Sequence, residues 1–121
     1  MNDCPFCQPT QTLLEQPLAY ALADRYPAAP GHTLIVVRRH VADFFDTTAE
    51  EQQALFALLR EARRLLAARY APQGYNIGVN VGEAAGQTVP HVHVHLIPRY
   101  AGDVPDPRGG VRAVIPHRQR Y

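Results

Sequence analysis

Lysine is missing from this 121-residue sequence: all twelve basic residues are arginine, which excludes a lysine nucleophile or a lysine Schiff base. The eleven acidic residues bring the formal net charge to +1, and no long block of like charge is present. This balance argues against nucleic-acid or membrane-surface binding through bulk electrostatics, so neither is expected as a partner. Arginine suits bidentate phosphate contacts, but a general compositional bias explains the same count.

Long apolar runs are also missing, because none approaches the ~20 residues that a membrane span requires. Residues 1–7 show no basic region followed by an apolar stretch, so we expect no signal peptide and a cytoplasmic location. In that compartment a pair of cysteines is more typical of metal binding or redox chemistry than of a permanent disulfide. With 46% hydrophobic and 19% charged residues, the chain is expected to form one globular domain, residues 1–121.

Strand and helix signals follow one another without βαβ alternation, which predicts an α+β fold on an antiparallel sheet. Thr48, with Glu51 three residues later, forms a capping box and predicts a helix to about Tyr70, where Pro72 and Gly74 stop it. The predicted strands cover 20–23, 33–37, 75–81, 91–97 and, as a short last strand, 111–115, and the predicted loops cover 82–88 and 101–110.

The most informative feature is the run His-Val-His-Val-His at residues 91–95. Strict alternation with apolar residues is typical of a strand, since successive side chains point to opposite faces of a sheet. The run therefore predicts that one set of side chains enters a core and the other lines one face: Val92, Val94 and Leu96 against His91, His93 and His95. Three such imidazoles could hold a catalytic zinc, could include a nucleophilic histidine with oxygen-binding neighbours, or could be satisfied surface histidines without chemistry.

A second motif is Cys4-Pro5-Phe6-Cys7, a Cys-x-x-Cys that could supply two thiolates to a tetrahedral metal site. Because the sequence has no other cysteine, the remaining ligands of such a site would have to include histidine. A redox dithiol and a metal-free pair are the alternatives.

Together these motifs resemble those of a known protein family. The run Gly86-Gln-Thr-Val-Pro-His-Val-His-Val-His-Leu-Ile-Pro-Arg99 resembles the signature of the histidine-triad (HIT) superfamily of nucleotide hydrolases and transferases. The run from Pro30 to His40 is similar to the strand that precedes that signature in the family. The resemblance extends over residues 4–99, and its three separately placed motifs make it specific.

The resemblance implies a HIT-like fold: a mostly antiparallel sheet of about five strands, one long helix and a short N-terminal helix. It also implies a homodimer that pairs through the long helix and the sheet edge. The implied activity is hydrolysis at the α-phosphate of a nucleoside phosphoramidate or dinucleoside polyphosphate, with a purine nucleotide of AMP type as substrate. A covalent nucleotidyl-histidine intermediate and release of the nucleoside monophosphate belong to this activity, which requires no organic cofactor.

The resemblance assigns roles to individual residues. His93, the middle histidine, is the implied nucleophile, and His95 and His32 are the implied partners that bind phosphate oxygens and assist the leaving group. The implied nucleotide-binding residues are Asp24, eight residues before His32, and Asn80, eleven residues before His91, together with Gln87 and Thr88. An exposed turn carboxylate is the plain alternative for Asp24.

Zinc-bearing relatives also imply a structural zinc site. There the Cys pair is completed by the first histidine of the triad and by one from a strand end, which gives Cys4, Cys7, His40 and His91 in this sequence. A Cys₂His₂ set is closed and tetrahedral, so this metal would tie the N-terminus to the sheet rather than react. For His40 the alternative is an exposed strand-end residue.

Two branches of the superfamily share features with the sequence. His95 stands where uridylyltransferase-like relatives have glutamine, which favours hydrolysis. Arg99 resembles the branch that cleaves dinucleoside polyphosphates, whereas the Cys pair, Asp24 and Asn80 resemble the phosphoramidase branch. Two other functions stay open: a nucleotide-binding regulatory module without significant turnover, and a zinc-dependent hydrolase that uses the three histidines as metal ligands.

Overall fold

The computed structural model describes residues 3–121 and contains one five-stranded antiparallel sheet and one long helix. The strands are β1 (Leu14–Glu15), β2 (Ala19–Ala23), β3 (Thr33–Val37), β4 (Gly74–Gly78) and β5 (His93–Arg99), and the helix is α1 (Ala49–Tyr70). The spatial order is β1-β2-β3-β5-β4, so β5, with the last two histidines of the triad, lies between β3 and β4. The predicted α+β fold is confirmed.

Helix α1 begins where the capping box predicts. The Thr48 side chain accepts from the Glu51 main-chain N–H at 3.0 Å, and the Glu51 carboxylate accepts from the Thr48 N–H at 2.8 Å. These two bonds satisfy main-chain donors that the first helical turn cannot pair internally. The helix ends at Tyr70, because Ala71 adopts a left-handed conformation with φ 49° and closes the last turn onto Ala67.

The sheet separates two apolar clusters. The larger cluster packs beneath α1 and contains Ala19, Ala21, Ile35, Val37, Val92, Val94 and Leu96 from the sheet and Leu55, Leu58, Ala62 and Leu66 from the helix. The predicted inward positions Val92, Val94 and Leu96 are all buried, as the alternation requires. A smaller cluster of Phe6, Tyr20, Leu34 and Val36 lies on the opposite face of the sheet, where the alternation also places His93 and His95.

Several predicted boundaries are wrong. Strand β4 ends at Gly78 rather than at residue 81, because the chain turns at Gly82 (φ 92°) into the 3-10 helix Glu83–Ala85. Residues 111–115 do not form a last strand: Gly109 and Gly110 both have positive φ and direct the chain into the 3-10 helix Gly110–Val114. Valine and isoleucine favour a strand there, but the preceding glycine turn decides the local conformation.

The N-terminal region also differs from expectation. Between residues 3 and 43 the structure contains no helix, and residues 5–7 form a turn with a hydrogen bond from the Cys7 N–H to the Cys4 carbonyl at 3.4 Å. The expected single domain, 1–121, includes Met1 and Asn2, which lie outside the described residues.

Within the described part of the chain, α1 is too polar to be a membrane-spanning helix, and no other helix has the length and apolarity for that role.

Candidate active site and metal site

Two neighbouring strands bring the candidate catalytic histidines together. His32 lies directly before β3, and the antiparallel register pairs Leu34 with His95 and Val36 with His93. The ring centroids of His93 and His95 are 5.2 Å apart, and so are the ring centroids of His32 and His95. The three side chains therefore form one continuous group on the face of the sheet opposite α1.

His93 has a fixed orientation. Its Nδ1 lies 2.8 Å from the main-chain carbonyl oxygen of His91. A carbonyl can only accept, so Nδ1 carries the proton and Nε2 keeps its lone pair. Phe6 packs against the ring at a centroid distance of 4.9 Å, which restricts its rotation. The arrangement fixes the direction of the Nε2 lone pair.

His32 Nε2 faces two hydrogen-bond acceptors, one on His95 and one on Asp24. The Ala28 main-chain N–H donates to His32 Nδ1 at 2.9 Å, so a neutral His32 carries its proton on Nε2. That Nε2 lies 3.0 Å from His95 Nδ1 and 3.3 Å from Asp24 Oδ2. When His32 donates to His95, the proton of His95 resides on its Nε2, where it can be donated to a substrate oxygen. Asp24 follows β2 directly, and its other oxygen accepts from the Tyr26 N–H at 2.9 Å.

Burial disfavours the charged forms of His32 and His95. It lowers the pKa of both His32 and His95, and the Asp24 carboxylate partly offsets this effect because it raises both pKa values. The charge of His93 lowers the pKa of His95 further. Near pH 7 a neutral imidazole can attack as a nucleophile through one nitrogen or donate a hydrogen bond from the other.

The remaining predicted nucleotide-binding residues differ in position. Asn80 lines the same cavity as His32 and His95. Thr88 is exposed at the end of the loop that leads to the triad. The Gln87 amide accepts from the Gly82 N–H at 2.8 Å and donates to the carbonyls of Ala42 and Val89 at 2.7 and 3.1 Å. These contacts hold the loop that leads to the triad, and nucleotide binding by Gln87 stays a prediction.

The first histidine of the triad belongs to a second cluster. His91 is fully buried and lies outside β5, and its Nδ1 faces Cys4 Sγ at 3.2 Å, Cys7 Sγ at 3.5 Å and His40 Nδ1 at 3.3 Å. The distance from Cys7 Sγ to His40 Nδ1 is 3.2 Å, and the four ligand atoms all lie within 4.8 Å of one another. The two cysteines are not joined in a disulfide. The four predicted metal ligands therefore converge, and the three triad histidines do not share one centre.

The cluster fits a tetrahedral zinc ion. Zn–S bonds of ~2.3 Å and Zn–N bonds of ~2.0–2.1 Å require ligand atoms about 3.3 to 3.8 Å apart in a tetrahedral site. The four separations of 3.2 to 3.5 Å found here are close to that range. The Val37 carbonyl oxygen lies 2.6 Å from His91 Nε2, which puts the proton there and directs the lone pair of Nδ1 to the centre of the cluster. Burial lowers the pKa of His91 and so favours the neutral ring that a metal ligand must be.

Supporting residues were not identified from the sequence. Tyr20 is fully buried and donates its hydroxyl to the Phe6 carbonyl at 2.6 Å, which fixes the Cys-x-x-Cys turn against the sheet. Arg39, next to His40, forms paired bonds of 3.0 and 2.9 Å with Glu51 at the start of α1. The Ala28 N–H and the Val37 carbonyl are main-chain groups, for which no side-chain pattern gives a signal. Phe6, placed between the two cysteines, is the one that the motif itself could have indicated.

The antiparallel sheet thus carries two histidines of the triad on β5, and the Cys₂His₂ cluster lies beside them. Residues 6–102 match the HIT domain family, and the chain belongs to it. The AP-4-A phosphorylase of Mycobacterium tuberculosis is 39% identical over 87 residues, which cover 71% of this chain and 45% of that protein. The asymmetrical bis(5'-nucleosyl)-tetraphosphatase of Schizosaccharomyces pombe is 37% identical over 94 residues, which cover 78% of this chain and 52% of that protein.

This chain thus spans about half the length of those two relatives. Among solved structures, a Zn-bound histidine triad family protein from Mycobacterium smegmatis superposes with a TM-score of 0.76 at 32% identity. That match covers 86% of this chain and 84% of the other. The fold therefore agrees with the family assignment, and the Zn-bound neighbour is consistent with zinc at the cluster of Cys4, Cys7, His40 and His91.

Proposed function

We propose that this protein hydrolyses nucleotides at the α-phosphate through a covalent intermediate on His93. The observation that carries the proposal is the 2.8 Å contact of His93 Nδ1 with the His91 carbonyl, because it leaves Nε2 as an oriented nucleophile. Relatives named as a tetraphosphatase and a phosphorylase of dinucleoside polyphosphates support the substrate class.

The reaction has two steps. His93 Nε2 attacks the α-phosphorus, a P–N bond forms, and the bond to the leaving group breaks while the leaving group keeps the electron pair. Water then attacks the same phosphorus, the P–N bond breaks, and the nucleoside monophosphate and the original imidazole are released. His95, with its proton on Nε2, donates to an oxygen that gains charge in the transition state, and His32 holds His95 in that tautomer.

The proposed contacts to the nucleotide come from residues around the same face of the sheet as His93 and His95. Asp24 lies within 4.0 Å of His95 Nδ1, so we assign to its carboxylate the hydroxyl groups of the ribose next to the reacting phosphate. Asn80 and Thr88 supply neutral donors to the phosphate oxygens. The bound nucleotide is of AMP type.

We propose that zinc occupies the cluster of Cys4, Cys7, His40 and His91 and stabilises the structure. A bound zinc would supply a closed tetrahedral cross-link and no open coordination position for substrate. His91 connects the two sites, since its ring faces the cysteines while its carbonyl holds His93. The described residues thus provide one site for a metal, around the two cysteines, and another for the reaction, around His93. This separation supports a structural metal beside a catalytic histidine.

We also propose a homodimer in the cytoplasm. Strand β4 is an edge of the sheet, and Ile77 on it is 49% exposed. Ile77 and Tyr75 lie together with Leu59 of α1 in a shallow cavity between the strand and the helix. An unpaired edge next to an apolar surface is suited to pairing with a second copy. Light scattering should report a dimer for the natural chain and a monomer for Ile77→Arg, whereas the exposed control Val104→Arg should stay dimeric.

The substrate class is tested by measuring AMP release from adenosine 5'-phosphoramidate and from diadenosine tetraphosphate. Turnover of either compound supports the proposal. One relative is named a phosphorylase, so the reaction with diadenosine tetraphosphate should be run with and without inorganic phosphate. Attack by water gives AMP and ATP, whereas attack by phosphate gives ADP and ATP. Binding of both compounds without any product would instead support a regulatory nucleotide-binding module.

A further inference from the structure

A cavity with a volume of about 760 Å³ lies beside the catalytic histidines, within the usual size range of ligand pockets. Its lining includes His32 and His95 but not His93. The sheet contributes Asn76 and Ile97, which are register partners on β4 and β5. The cavity therefore extends from His95 toward the β4 edge, and residues 28–30, which connect β2 to β3, also line it.

One side of this cavity is formed by the C-terminal segment, which we define as residues 101–121. Val104, Val111 and Val114 of this segment line the cavity and are 40%, 57% and 75% exposed. The match to the HIT domain family ends at residue 102. This side of the cavity thus belongs to the individual chain rather than to the part that the family model describes.

The C-terminal segment has a defined internal structure. Arg112 donates to the carbonyls of Gln119 and Arg118 at 3.2 and 3.0 Å, and the Gln119 amide donates to the Arg108 carbonyl at 3.2 Å. Gly109, with φ 91°, packs against the main chain of Gln119, where a side chain would not fit. These contacts fix the 3-10 helix Gly110–Val114 within the C-terminal segment, and Val111 and Val114 of that helix line the cavity.

Charge in the cavity lining is already paired. Arg99 forms bonds of 2.8 and 2.9 Å with the carboxylate of Asp103, and Arg120 Nε lies 3.0 Å from Asp106 Oδ2. Both arginines of the lining are therefore paired with a carboxylate, and the C-terminal segment adds the aliphatic side chains of Val104, Val111, Ala113 and Val114. This side of the cavity suits an uncharged ring with hydrogen-bonding edges, whereas the side with His95 and Asn80 is the one assigned to phosphate oxygens.

We propose that the C-terminal segment forms a subsite for the leaving group of the substrate, and that this subsite selects a second nucleoside over a small amine. The inference rests on the proposed function, because the leaving group must lie next to His95 when His93 attacks the phosphorus. The second nucleoside of a dinucleoside polyphosphate would contact the aliphatic residues of the C-terminal segment. The ammonia released from a phosphoramidate would not reach them.

The test is Val114→Glu, with Ile115→Glu as its matched control. Val114 lines the cavity, whereas Ile115, the next residue, is 50% exposed and does not. We expect Val114→Glu to lower kcat/KM for diadenosine tetraphosphate by about tenfold or more, because a carboxylate is placed against the bound nucleoside and its polyphosphate. The same variant should keep kcat/KM for adenosine 5'-phosphoramidate within about twofold of the natural chain, and Ile115→Glu should do so for both substrates.

Equal loss on both substrates, or no difference between the two variants, would overturn the subsite. A binding measurement keeps the inference separate from the proposed function. On a His93→Ala background, which should not consume the ligand, diadenosine tetraphosphate should bind more tightly than AMP, and Val114→Glu should remove that difference. Absence of turnover with this binding preference intact would reject the proposed function alone, and equal affinities for the two ligands would reject the subsite.

Discussion

His93 donates its Nδ1–H to the main-chain carbonyl of His91 at 2.8 Å, while the ring of His91 faces the two cysteines. One residue therefore contributes its side chain to the proposed metal site and its carbonyl to the orientation of the proposed nucleophile. Because adjacent parts of the same residue serve both sites, the metal cluster should stabilise the catalytic geometry without taking part in the reaction.

Zinc content should depend on His40, whose Nδ1 is 3.2 Å from Cys7 Sγ. We expect one zinc per chain in the natural protein and a large loss of zinc in His40→Ala, accompanied by a lower Tm, since binding energy at such a site contributes to folding. His117→Ala, which replaces an exposed histidine outside the cluster, should keep its zinc. Elemental analysis and thermal unfolding measure both quantities.

The same variant separates a structural metal from a catalytic one. His40→Ala that remains folded at low temperature should retain most of its turnover. Complete loss of kcat in folded protein, restored in proportion to added zinc, would contradict a structural role.

The pH dependence of kcat/KM should respond to Asp24. Its carboxylate raises the pKa of His32 and His95, whereas burial lowers both pKa values. In the proposed mechanism the neutral imidazoles are the active forms. Asp24→Asn removes the raising effect, so both pKa values should fall and the acid limb of kcat/KM should move to lower pH. The absolute rate should also fall, because the ribose contact is weakened.

Asp43→Asn is the matched control, since Asp43 accepts a hydrogen bond from the Phe45 N–H at 2.8 Å and asparagine can do the same. Its pH profile should overlay that of the natural chain. An acid limb that moves to higher pH in Asp24→Asn would rule out the assigned electrostatic effect.

Stability should depend on Glu51, which is only 3% exposed and joins the capping box to Arg39. Glu51→Gln should lower the free energy of unfolding by about 1–3 kcal/mol, because it removes a charge-assisted pair and leaves buried groups poorly matched. Hydrogen bonding to Arg39 lowers the pKa of Glu51, so its contribution is present at neutral pH and is lost as the carboxylate is protonated in acid.

Glu50→Gln, an exposed change in the same helical turn, should leave the stability nearly unchanged. Urea unfolding at pH 7 and at pH 4 compares the two variants. Equal midpoints for Glu51→Gln and the natural chain at pH 7 would show that the buried pair contributes nothing.

Local patterns were sufficient for the central part of the fold. The Thr48–Glu51 capping box gave the start of α1, and the alternation of Val92, Val94 and Leu96 gave the buried face of β5. Both signals depend on residues a few positions apart, so tertiary contacts had little opportunity to override them. The family motifs added the four-residue metal cluster, whose members are up to 87 positions apart.

Other features depend on contacts that a local pattern does not contain. The alternation placed His91 beside His93 and His95, but β5 begins only at His93, and the His91 ring turns to the cysteines. The hydrogen bond from the Gln87 amide to the Ala42 carbonyl, 45 residues away, has no signal in the sequence around Gln87. The valines after Gly110 favoured a strand, and the turn at two glycines of positive φ overrode them.

Rapid quenching of turnover mixtures, followed by mass spectrometry of the intact chain and of its peptides, tests the catalytic role of His93 most directly. A nucleotidyl group should appear on the natural chain within the first turnover, map to His93, and be absent from His93→Ala, while His117→Ala should carry it normally. Turnover that proceeds with no such adduct, or with the nucleotidyl group attached to another residue, would contradict the account.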